Sequence, residues 1–146
     1  MNAASSPDEK ARARAAGNIR LAEAQQSNIA ARTKEEVDAR RKAVADAKAV
    51  ELHTRATLEA AEWGGGKADW APLHQAMAAR KTAELELAAA EQKQKEATIK
   101  AQTDVDNAKA AQKELIDAQN EAAKKLREEA EQAERRAELQ DELYIA

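Results

Sequence analysis

Helix-breaking residues cluster in one short stretch of this chain, and that clustering limits the fold more than anything else in it. From Asp8 to Glu62 the only glycine is Gly17, and there is no proline. The run Trp63-Gly64-Gly65-Gly66-Lys67-Ala68-Asp69-Trp70-Ala71-Pro72 then holds the other three glycines and the second proline, and neither residue recurs through Ala146. Glycine and proline are the strongest local punctuation a chain has. This one therefore reads helix, tight break, helix: a first helix over about 7–62, an apex over about 63–71 and a second helix over about 72–143.

Composition points the same way. Of the residues that make up the 43% hydrophobic content, 39 are alanine, which leaves 24 larger apolar side chains among 146. A compact core for a chain of this length needs many more, so a compact α/β or all-β domain is excluded. Abundant Ala, Glu, Lys, Arg and Gln instead suit long helices or a coiled coil. The chain is expected to be all-α, a single hairpin domain over 1–146.

The helix ends carry their own signals. Ser6 fits an N-cap, Pro7 sits at the first helical position where its missing N–H costs nothing, and Glu9 is placed to reach back as a capping box. Asp8 and Glu9 also suit the positive end of the helix dipole. Asp69 fits the N-cap of the second helix, with Pro72 inside the first turn, where proline is tolerated.

Apolar spacing then decides whether the two helices run end to end or fold back. In the first, a stripe with steps of three or four runs Ile19, Ala22, Gln26, Ile29, Thr33, Val37, Arg40, Val44, Ala47, Glu51, Thr54, Leu58, Ala61. In the second it runs Leu73, Met77, Arg80, Glu84, Leu87, Gln94, Ala101, Val105, Ala108, Gln112, Leu115. These are heptad-like seams. If the chain reverses at Gly66–Lys67, facing residues have numbers adding to about 134 when every residue advances as in a helix. Ile19 then meets Leu115, Ile29 meets Val105, Thr33 meets Ala101, Val37 meets Ala97, Val44 meets Ala90, Ala47 meets Leu87 and Ala61 meets Leu73. Large residues repeatedly face small ones, which lets two helices approach closely. The expected fold is a long antiparallel two-helix coiled-coil hairpin with a Gly/Trp apex, its paired arms about 80 Å long. The same rule ends the pairing near Leu126 and leaves 127–138 as an exposed helical overhang. Polar Gln26, Arg40, Glu51, Arg80, Gln94 and Gln112 on the seam should keep stability modest and help set register. Leu21, Leu52, Leu85 and Ile99 lie off the stripe, where they could widen the face or support self-association or a third helix.

Charge and chemistry exclude several function classes. A net charge of −3 with both signs intermixed gives no general pull toward nucleic acid or an anionic membrane. No apolar run approaches the roughly 18 residues of a membrane span, and Met1–Pro7 lacks the apolar region of a secretory signal. Without cysteine there is no disulfide framework or thiolate metal site. His53 and His74, the only histidines, fall about two turns out of register with no carboxylate set beside them, so no metal site is expected. Acid pairs such as Glu35/Glu36 and Glu128/Glu129 point in different directions on a helix and read as solvated faces. Serine occurs only at Ser5, Ser6 and Ser27, so no Ser/His/Asp set can form, and neither an enzyme nor a cofactor is expected.

The apex remains as the candidate site: Trp63, Gly64, Gly65, Gly66, Lys67, Asp69, Trp70 and His74. Tryptophans at the end of a helical hairpin suit a protein-binding tip, with Trp63, Lys67 and Trp70 as anchors. The plainer alternative is that both indoles clamp the hairpin end over Leu73 and Ala61. Gly64–Gly66 could also cradle an anion, although no Walker or dinucleotide pattern surrounds them.

An Ala/Glu/Lys/Gln/Arg hairpin with this apex resembles the central receptor-binding domain of colicin-type bacteriocins. The resemblance is architectural over most of the chain and local in sequence. It rests on the run from Trp63 to His74 and on Gln102-Thr103-Asp104-Val105-Asp106-Asn107, which is similar to a stretch in the descending arm of nuclease colicins. The 146 residues include neither the Gly-rich translocation segment nor the cytotoxic domain of that family, and the spacing between apex and the Gln102 stretch differs from it. The resemblance implies a non-enzymatic, antimicrobial toxin's stalk, a monomeric hairpin whose tip docks on an outer-membrane receptor protein, the vitamin B12 transporter in several relatives. It also implies an extracellular protein released without a signal peptide. The competing expectation is a structural spacer or scaffold of a periplasmic, phage or secretion assembly, or a cytoplasmic one.

Overall fold

The computed structural model describes residues 6–145; Met1–Ser5, part of the polar start considered above for a signal, and Ala146 lie outside the described residues. Two helices account for nearly all of it, α1 over Pro7–Trp63 and α2 over Ala71–Ile145, packed on each other as an antiparallel hairpin. No described helix is long and apolar enough to cross a membrane. By packing, the chain divides into two compact units: one is formed by the segments up to Glu23 and from Asp104 on, the other by Ala24–Thr103.

α1 starts as its sequence dictates. The Ser6 hydroxyl accepts the Glu9 N–H at 3.1 Å and the Ser6 carbonyl accepts the Lys10 N–H at 3.0 Å, so Ser6 is the N-cap. At α2 the cap falls one residue later than expected. The Trp70 carbonyl accepts the first helical bond, from His74, while the Asp69 carboxylate accepts the Ala71 N–H at 3.0 Å from outside the helix. The apex is therefore Gly64–Trp70, shorter at both ends than the spacing predicts.

In the unit built from Ala24–Thr103, the seam residues Val37, Val44, Leu73, Ala76, Ala90 and Ala101 are buried, and Gln26, Ile29, Thr33, Ala47, Glu51, Thr54, Leu58, Met77, Arg80, Glu84, Leu87 and Gln94 are half-buried. Arg40 and Ala61 are the two seam positions that turn out exposed. In the other unit Val105 is buried, and Ile19, Ala22, Ala108, Gln112 and Leu115 are half-buried. Leu21, Leu52, Leu85 and Ile99, off the stripe, are exposed.

Polar seam residues find specific partners. Thr33 Oγ1 donates to the Ile29 carbonyl at 2.8 Å, which satisfies the hydroxyl within its own helix. Gln26 donates to Gln102 at 2.7 Å, Arg40 pairs with Glu86 at 2.8 Å and Arg80 pairs with Glu51. In the other unit Arg12 donates to Gln119, whose amide donates to the Asp8 carbonyl at 3.1 Å.

These pairs correct the register. The rule of about 134 places Gln26, Arg40, Glu51 and Arg12 opposite residues roughly three to eight positions farther along α2 than the partners they have, a slip of about one to two turns. The cause lies in the connection. Non-helical backbone spans up to about 3.3–3.6 Å per residue against 1.5 Å in a helix, so loop residues descending beside α1 move α2 down the hairpin by more than a helical count allows. Trp70, reaching back to Glu62, marks that descent. The end of pairing moves with the register. Gln119 is the last α2 residue that is even half-buried, and everything from Asn120 to Tyr144 is exposed, including Leu126 at 67%. The overhang thus begins at 120, not 127.

Candidate functional site

The chain reverses through a helix C-cap in which each glycine has a definite place. The Gly66 N–H donates to the Ala61 carbonyl at 3.3 Å and the Gly65 N–H to the Glu62 carbonyl at 3.0 Å, with Gly65 at φ +84°. This is the Schellman arrangement, which satisfies carbonyls that the end of α1 would otherwise leave open and needs a left-handed residue at Gly65. Gly64 donates to the Ala60 carbonyl at 3.1 Å. With all three glycine N–H groups turned back onto α1, the apex offers no anion cradle from them.

Only Gly65 requires glycine. A Cβ at Gly64 or Gly66 would make ordinary contacts at 3.5–3.6 Å, with neither residue at positive φ. Gly65→Ala is therefore expected to lower stability by about 1 kcal/mol, whereas Gly64→Ala is expected to leave it unchanged or raise it by up to about 1 kcal/mol. Thermal unfolding followed by circular dichroism separates the two; equal losses at both positions would contradict the assignment of the turn.

The two tryptophans have different surroundings. Trp63, the last residue of α1, is 91% exposed. It follows Leu58 by five positions, which sets it about 140° around the helix from the seam. Trp70 is half-buried, and its indole Nε1 donates to Glu62 Oε1 at 2.9 Å. It precedes Leu73 by three and Met77 by seven, so it continues the α2 stripe by one turn. Trp70 thus ties the start of α2 to the end of α1 through Glu62, while Trp63 clamps nothing. That spacing is the sequence signal that separates them.

Among the other apex residues, Lys67, Asp69 and His74 are exposed. Asp69 is engaged through its bond to Ala71 and Glu62 through its bond to Trp70. The apex therefore presents one indole, one ammonium and one imidazole outward, while its two exposed carboxylates, Glu62 and Asp69, already accept hydrogen bonds from Trp70 and Ala71. His53 is exposed on α1, and among the described residues no group of three or more His, Asp or Glu side chains is placed to hold a metal ion. Compared with known proteins, the chain matches no family model, no curated protein and no solved structure.

Proposed function

We propose that the chain is a non-enzymatic receptor-binding hairpin of the colicin type, whose apex docks on an outer-membrane receptor protein of target bacteria. The observation that carries this reading is Trp63. A 91% exposed indole is placed at a turn whose backbone is fixed by three glycine N–H bonds. Docking would bury on the order of 150–250 Å² of that ring, and pre-ordering the turn lowers the entropy lost on binding. Lys67 and His74, exposed on the same hairpin end, would add polar contacts, and the Trp70–Glu62 bond ties the turn to the end of α1.

The test is competition. The isolated chain should bind outer membranes of susceptible Gram-negative cells and protect them from a colicin that uses the same receptor. Trp63→Ala is expected to weaken that protection at least about tenfold, a loss of about 1.4 kcal/mol or more. A wild-type chain that neither binds nor protects would overturn the reading. The second reading, a structural spacer or scaffold of a periplasmic, phage or secretion assembly, draws support from the exposed α2 overhang, whose apolar residues suit a further chain. It expects apex substitutions to be neutral and seam substitutions at Ile29, Val105 or Leu115 to abolish function.

A further inference from the structure

Beyond Gln119 no described residue of α1 covers α2, yet the face that packs on α1 does not stop there. Counting on from Ala101, Val105, Ala108, Gln112, Leu115 and Gln119, steps of three and four lead to Ala122, Leu126, Glu129, Ala133, Arg136, Gln140 and Leu143, all exposed. The heptad seam thus continues, unpaired, with leucines toward its two ends and a Glu/Arg couple at its middle. On the seam Leu126 is 67% exposed and Leu143 78%; Leu139, at its flank, is 59% exposed. A solvated helix gains nothing from leucines at seam spacing.

We infer that this face is a self-association surface, on which the overhangs of two copies of the chain pair antiparallel about a two-fold axis passing between Gln132 and Ala133. The charge pattern selects both occupant and direction. Glu129 and Arg136 are seven residues apart, on the same face two turns along the helix. In a parallel pair each would meet its own like charge. In an antiparallel pair centred between them, Glu129 of each copy meets Arg136 of the other. That same centre brings Ala122 opposite Leu143, small against large, and sets Leu126 level with Leu139, which lies at the flank of the face beside Gln140. Such self-complementarity is what a two-fold interface requires, and a single oppositely charged couple within an apolar seam is a known way to fix direction and register. Glu131 and Glu134, which also come level, lie on the opposite side of the helix from Glu129 and Arg136.

The absence of cysteine makes the geometry directly testable. Mixing the full chain carrying Ala122→Cys with one carrying Leu143→Cys should give a disulfide-linked heterodimer on mild oxidation. Ala122→Cys alone should not cross-link at a comparable rate, its two copies being about 30 Å apart along the paired helices. In sedimentation equilibrium the wild-type mass should rise from 15.9 kDa toward twice that with concentration. Arg136→Glu should weaken the dimer at least about tenfold. The exchange Glu129→Arg with Arg136→Glu should restore it to within about threefold of wild type. A wild-type mass that never rises, an Arg136→Glu dimer as tight as wild type, an exchanged variant that stays weak, or efficient self-cross-linking at Ala122→Cys would each overturn the proposal.

Discussion

Val105→Asp is expected to be among the most destabilising single changes in the seam. Val105 is 2% exposed, and an aspartate there either carries an unpaired charge into an apolar contact or binds a proton at a cost. Truncation to alanine should remove about 1–2.5 kcal/mol, and the carboxylate should raise the loss to about 3–5 kcal/mol. The control is Leu85→Asp, 72% exposed, for which the change should stay within about 0.5 kcal/mol. Urea unfolding followed by far-ultraviolet circular dichroism reads both. A Val105→Asp loss no larger than that of Leu85→Asp would mean that Val105 is not in the seam.

The second large effect is expected at Arg80. Its guanidinium lies between Glu84, with Nη1 at 3.2 Å from both carboxylate oxygens, and Glu51 across the seam. Hydrogen bonding to Glu84, and then to Glu51, raises its pKa above the ordinary arginine value against the opposing pull of desolvation. The cation therefore persists at every pH of interest, and the weight of the cluster rests on Glu51, whose side chain is only 13% exposed. Arg80→Ala leaves that carboxylate with Arg55 at 3.7 Å and is expected to lower the urea midpoint, because Glu51 keeps its charge in the seam with only a distant partner. Replacing both partners, Glu51→Leu with Arg80→Leu, should recover that loss and could exceed wild-type stability, because paired charges in a seam are often no better than leucines of similar volume. A double variant as unstable as Arg80→Ala would show that the ion pair contributes more than its desolvation costs.

Which residues form the seam was legible in the sequence; which ones meet was not. Spacing alone picked out the α1 face from Ile19 to Leu58, with Arg40 the exception, and the α2 face from Leu73 to Leu115, because period and handedness are fixed by the helix itself. Register depends on the path of seven residues from Gly64 to Trp70, and no periodicity encodes it. The shift of pairing from Leu126 to Gln119 follows from the same seven residues. At the apex, three consecutive glycines look equivalent as letters, whereas only the positive φ at Gly65 makes one of them necessary. The tryptophans also look alike, and their separate roles come from phase: Trp70 lies on the stripe that reaches Leu73, and Trp63 lies off its own.

That difference in phase has a practical consequence. The chain has no phenylalanine, one tyrosine and two tryptophans, and both indoles sit at the hairpin end. Intrinsic fluorescence excited in the indole band therefore comes from the apex and from nothing along the seam. Trp63 contributes a water-relaxed emission that moves to the blue only when something covers it, and Trp70 an emission that answers to its carboxylate neighbour Glu62. Occupation of the tip and fraying of the turn carry separate optical signatures, and the native sequence supplies both without a label.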